Sequence, residues 1–208
     1  MKPLCLLCLL PLTAHGATYL SGVQQVNAPI PDNDRIGLSA TLSVVTTITS
    51  IEDVQVSLEM ANGWGGDLYC YLIHNDGIAV LLNRVGRRQD APSGAGNNHL
   101  TVTLADSAAT DVHAAVPTTG TLSGTFQPDG RKVDPSNSLD TTPRTAKLSA
   151  FNGMNANGDW TLFVADVASG ETMTFNTWSM TIIGVPEPSS AVLLGAAAGL
   201  LVWRRRRE

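Results

Sequence analysis

Eight consecutive residues, Asp53 to Met60, alternate polar and apolar without a fault. Val54, Val56, Leu58 and Met60 fall on one side, and Asp53, Gln55, Ser57 and Glu59 on the other. A period of two describes a strand with one dry face and one wet face, and a helix cannot satisfy it. The alternation recurs at Leu38, Ala40, Leu42 and Val44, at Leu68, Cys70 and Leu72, and at Leu100, Val102 and Leu104. It returns at Trp160, Leu162 and Val164 and at Trp178, Met180 and Ile182. Turn-forming clusters separate these runs: 62–67, 75–77, 92–98 and 155–159, all rich in Gly, Asn, Asp or Pro. No stretch carries the period of a long amphipathic helix. Short strands at this spacing predict an all-β chain, an antiparallel jelly-roll β-sandwich.

Both ends stand outside that pattern. Lys2, an apolar run from Leu4 to Leu12, and small residues at Ala14 and Gly16 read as a secretory signal peptide over residues 1–16. At the other end, Val185-Pro186-Glu187-Pro188-Ser189 precedes an apolar run from Ala191 to Trp203 and the basic cluster Arg204, Arg205, Arg206 and Arg207. As a helix that run covers about 20 Å, short of the roughly 30 Å hydrocarbon core. The arginines would stay on the cytoplasmic side. Such a precursor is held only transiently in the inner membrane, with its body outside. Residues 17–184 are then the folded body and 185–208 the tail. This order of parts resembles the PEP-CTERM sorting signal of Gram-negative bacteria. The resemblance implies recognition and removal of the tail by an exosortase, and export to the cell surface or into extracellular polysaccharide.

Setting the ends aside changes the charge and the cysteine count. The whole chain has 13 Lys+Arg, 18 Asp+Glu and a formal charge of −5. The ends hold Lys2 and four arginines but only two acids, so the body is more acidic still. That disfavours nucleic acid as a partner. Cys5 and Cys8 leave with the signal peptide, and Cys70 alone remains. The body therefore has no internal disulfide and depends on its apolar core.

Two segments of the body carry a second resemblance. One is Ile30-Pro31-Asp32-Asn33 with Gly66-Asp67-Leu68 to Ile73 and Asn75-Asp76-Gly77. The other is Leu148 to Gly153 with Gly158-Asp159-Trp160-Thr161-Leu162, closing on Trp178-Ser179-Met180-Thr181-Ile182. Together they are similar to the P-domain (P/Homo B) found beside subtilisin-like proprotein convertases. The resemblance implies a jelly-roll sandwich whose usual role is to support an adjacent protease. Here about 13 residues separate Ala17 from Ile30. A binding or structural role follows rather than proteolysis. The polar stretch from Gln127 to Arg144 departs from a compact P-domain and reads as a loop.

Local catalytic patterns are missing. His74, His99 and His113 form no His-Glu-x-x-His motif, and there is no Gly-x-Ser-x-Gly elbow. A non-enzymatic protein is expected. The alternatives are a carbohydrate-binding module, a domain supporting a separate serine protease, or a hydrolase. For binding, Trp64 in a Gly-rich loop, with Tyr69 and Tyr71, would offer rings on which a sugar stacks. The plainer reading folds Trp64 back over the sandwich end. For a cofactor, Asp32, Asp34, Asn155, Asn157, Asp159 and Asp166 supply the hard oxygens that calcium takes. The competing reading makes them ordinary turn residues. Arg84, Arg87 and Arg88 read as a solvated loop or an interaction patch. Extracellular polysaccharide or another surface protein is the partner these features imply. The exported chain is expected to begin near Ala17 and to lack Arg204–Arg207. Intact mass of the protein recovered outside the cell checks both cuts.

Overall fold

The computed structural model describes residues 16–115, 117 and 120–187. The signal-peptide residues 1–15 and the tail from Pro188 onward, including Arg204–Arg207, lie outside them. The ten strands are β1 (Ala17–Leu20), β2 (Gln24–Pro29), β3 (Asp34–Val44), β4 (Ile48–Ala61), β5 (Leu68–His74), β6 (Gly77–Asn83), β7 (His99–Ala105), β8 (Thr121–Phe126), β9 (Gly158–Asp166) and β10 (Thr174–Pro186). One sheet runs β1-β10-β4-β7-β8, with β2 also on β10, and the other runs β3-β9-β5-β6. The expected two-sheet sandwich is present. The alternating residues of β4, β5, β7, β9 and β10 are its interior: Val54, Val56, Leu58, Met60, Leu68, Cys70, Leu72, Leu100, Trp160, Leu162, Val164, Trp178, Met180 and Ile182 are all buried. His74 lies flat on Trp160 at 4.0 Å between ring centres, and the indole N–H donates to Ala156 O at 3.0 Å.

One pairing departs from the antiparallel expectation. β7 and β8 run parallel, in register from His99 opposite Thr121 to Leu104 opposite Phe126. Parallel neighbours need a long crossover, and residues 106–120 provide it. β1 and β2 share one edge of β10, and Ser21 bridges the gap between them. Its N–H donates to Met180 O at 2.9 Å and its hydroxyl accepts from Met180 N at 2.8 Å. β10 continues through Pro186, opposite Ile48, and Glu187 N donates to Thr47 O at 3.0 Å. The first two residues of the Pro-Glu-Pro motif are therefore folded onto the body. Ala17 lies opposite Gly184, so both ends of the body leave at one end of the sandwich.

The stretch read as a loop covers the free edge of β6. Asp129 N donates to Leu81 O at 3.0 Å, Gly130 N to Val80 O at 2.8 Å, and Val80 N to Ala146 O at 2.9 Å. Covering an edge removes a template for chain-to-chain pairing. It also explains why β6 is buried on both faces. The loop is held by Arg131, whose side chain is buried. Its Nε donates to Leu139 O, its Nη1 to Asp129 O and Oδ1, and its Nη2 to Asp140 O and Asp111 Oδ2. Asp129 also meets His113 Nδ1 at 2.8 Å, while His113 Nε2 meets Arg87 O at 2.9 Å. Arg131→Met leaves Asp129 buried without its guanidinium. It is expected to cost about 3–5 kcal/mol of stability, the usual penalty for breaking a buried ion pair from one side. Urea unfolding of variant and wild type measures this.

Candidate ligand-binding groove

Strand alternation sends Cys70 and Leu72 into the core and Tyr69 and Tyr71 to the opposite face of the same sheet. Tyr71 stacks on Phe163 of β9 at 4.7 Å, and Tyr69 tilts against Tyr71 at 5.5 Å. These rings floor a groove of about 480 Å³, bounded by Arg35, Ala165 and Val167 and by Lys132, Val133, Asp134 and Pro135 of the covering loop. Its volume falls within the roughly 300–1,000 Å³ typical of small-ligand sites. Arg35 grips Asp134 with two nitrogens, at 2.7 and 3.3 Å, and donates to Ser136 Oγ at 2.9 Å. That grip, with the Ser136 amide, holds the Asp134 carboxyl well below the usual range. Burial pushes both phenols up, so Tyr69 and Tyr71 keep their hydroxyl protons. The groove thus offers flat apolar rings, neutral hydroxyls and a charged rim.

Of the three aromatic residues singled out from sequence, Tyr69 and Tyr71 share this groove and Trp64 does not. Trp64 is 43% exposed, and its ring lies so close to Gly170 that a side-chain carbon there would fall 2.7 Å from it. It folds back over a sandwich end, as the plainer reading had it. Phe163, Arg35, Lys132 and Asp134 escape a sequence reading. They come from β9, β3 and the covering loop, and nothing local marks them as neighbours of β5. The geometry of β3 depends on Gly37, whose φ of +57° lies in the left-handed region and whose missing Cβ leaves room for Phe163.

The six oxygen-bearing residues do not form one cluster. Asp159 and Asp166 lie near opposite ends of β9, about 23 Å apart at strand spacing. Asn155 Oδ1 accepts from Asn157 N at 2.9 Å, Asn157 Oδ1 accepts from Thr46 N at 2.7 Å, and Asp159 accepts from the Ser43 hydroxyl. Those three bind the turn before β9. Asp34 Oδ1 accepts from Ile36 N at 2.8 Å. At the far end Asp166 adjoins Asp67 and Asp32, and Gly170 N donates to Asp32 Oδ1 at 3.1 Å. Among the described residues no three His, Cys, Asp or Glu side chains close on a point as a ready metal cage.

The basic cluster is divided as well. Arg84 turns inward to Gly66 O and Asp67, Arg87 donates to Ser138 O at 2.8 Å, and only Arg88 faces outward, beside Asp90. A second hollow, of about 580 Å³, has His113 and Arg131 in its wall. Both imidazole nitrogens and every guanidinium nitrogen there are already bonded within the protein. Cys70 is fully buried, and burial pushes its thiol up, away from nucleophilic use.

Comparison with known proteins agrees with both sequence resemblances. Residues 118–182 match the family model of the proprotein convertase P-domain, and residues 184–207 match that of the PEP-CTERM protein-sorting motif. Neither is a catalytic domain. No curated protein matches the chain. Among solved structures, the chain is similar to the serine protease of Aeromonas sobria, both alone and in complex with the chaperone ORF2. Each comparison has 17% identity and a TM-score of 0.44, and covers 81% of this chain but 27% of the protease chain. The chain thus spans about a quarter of that protein's length.

The Asp166 carboxyl is pushed up to about 7, first by burial and then by its acidic neighbours. In an unfolded chain it titrates near 3.9. A raised folded value favours the fold fully below about pH 4 and loses that contribution as pH rises through about 7. In chelator-treated samples, Asp166→Asn is therefore expected to gain stability relative to wild type on going from pH 5 to pH 8. Urea unfolding at the two pH values reads the difference.

Proposed function

We propose that this PEP-CTERM-sorted chain is a non-enzymatic protein of the cell surface or extracellular matrix, and that its P-domain-like sandwich holds polysaccharide in the Tyr69–Tyr71–Phe163 groove. The sorting motif marks the chain for export and exosortase processing. The observation that carries the binding reading is the groove itself. Three aromatic rings lie side by side on one sheet face, with Arg35, Lys132 and Asp134 at the rim. A sugar ring has an apolar face that stacks on aromatic rings and an edge of hydroxyls that bonds to charged and phenolic groups. The Arg35–Asp134 pair holds the rim in place before ligand arrives, which reduces the ordering cost of binding.

The P-domain match favours a second reading, in which the same face docks a separate serine protease. A single binding experiment separates the two. Exported protein is assayed against the host's extracellular polysaccharide and against a panel of purified glycans. Retention is expected for wild type, and Tyr71→Ala is expected to weaken it about tenfold, the loss of one ring contact worth about 1–1.5 kcal/mol. Trp64→Ala, at a site away from the groove, should leave retention unchanged. Failure to bind any glycan, or loss with Trp64→Ala alone, removes the groove reading.

A further inference from the structure

We infer that Asp67 and Asp166, with Asp32 at the mouth, form a divalent-cation site suited to calcium. The site is distinct from the groove and does not rest on the polysaccharide reading. Two carboxylates meet here because β5 and β9 are neighbours: Leu68 lies opposite Asp166, and Val167 N donates to Asp67 O at 2.8 Å. Asp67 is 3% exposed and Asp166 is fully buried. Each has one oxygen engaged. Asp67 Oδ1 faces Arg84 Nη2 at 3.5 Å, and Asp166 Oδ1 accepts from Ala168 N at 3.3 Å. The second oxygen of each, Oδ2, is sealed from solvent and has no hydrogen-bond partner. A buried carboxylate oxygen without a partner is costly, and two in neighbouring residues call for a shared ligand.

Charge identifies that ligand as a cation. Asp32, Asp67 and Asp166 carry three negative charges, and Arg84 supplies one positive charge, itself weakened by burial. The remainder is two negative charges, which a divalent ion balances. The donors are all oxygen, with neither imidazole nor thiolate among them, so the site suits a hard ion rather than zinc. Calcium tolerates irregular geometry and completes its shell from water and turn carbonyls, whereas magnesium demands a near-ideal octahedron. Asp32, exposed on its turn and tied to Gly170 N, closes the solvent side. Raised by burial and by its neighbours, Asp166 holds a proton when no cation is bound, and the incoming ion displaces it.

Thermal melting of the purified full chain tests this, after chelation and then with calcium or magnesium added back. Calcium at about a hundredfold excess over its Kd should raise Tm by roughly 5–10 °C. The shift should exceed that from magnesium and shrink below pH 7. Asp166→Asn should abolish it and Asp32→Asn should reduce it. Asp32 is exposed, so its variant remains informative if Asp166→Asn fails to fold. An unchanged Tm in calcium, or a shift that persists in both variants, overturns the site and leaves a proton as the occupant of the pair.

Discussion

A single buried guanidinium organises the part of the molecule that has no regular strands. Arg131 is ringed by Asp111, Asp129 and the carbonyls of Leu139 and Asp140, all on the crossover and the covering loop. Arg144 adds bonds to Gln127, Pro128 and Asp129, and Asn83 of β6 donates to Arg131 O and Val133 O. These contacts press the loop onto β6. Without them β6 would expose its outer apolar face and its free edge. The same contacts set Lys132, Val133, Asp134 and Pro135 along one wall of the groove, immediately after the buried Arg131. Polar residues here do what an apolar core does elsewhere, because a paired charge in a dry site tolerates little displacement.

Core and groove are two faces of the same strands. In β5, Leu68, Cys70 and Leu72 fill the interior, while Tyr69 and Tyr71 floor the groove. In β9, Trp160, Leu162 and Val164 face inward, Phe163 faces outward, and the strand ends on the buried Asp166. A slip of one residue in the β5–β9 register would exchange the faces and destroy both at once. Stability and the candidate binding surface are thus linked by geometry. The body has this rigidity without a disulfide, since Cys70 is a free, buried thiol. The packed sandwich, the Arg131 cluster and the closing of both termini on β10 take that role.

Much of this was legible from spacing. The alternating strands that form the interior were all readable, because a half-buried strand imposes a period of two wherever one face is wet. β6 and β8 were not. Ile78 to Leu82 shows no alternation because both faces are covered, and Thr121 to Phe126 is a polar edge strand broken by Gly124. Tyr69 and Tyr71 could be singled out as outward-facing rings. Their partner Phe163 could not, since its place beside Tyr71 depends on strand order rather than on local pattern.

By itself the sequence determined the all-β class, the inward and outward sets of each regular strand, the P-domain resemblance, and the sorting signal at the C-terminus. All of these are written in short-range periodicity or contiguous motifs. Only the tertiary structure decided which distant residues share a site. It joined Arg35 to Asp134 and Asp67 to Asp166, moved Trp64 away from the two tyrosines, and split the six oxygen donors between the two ends of β9. The physical reason is that a β-sandwich makes its neighbours through sheet pairing across long sequence separations. Strand order and register, not spacing along the chain, determine which side chains meet.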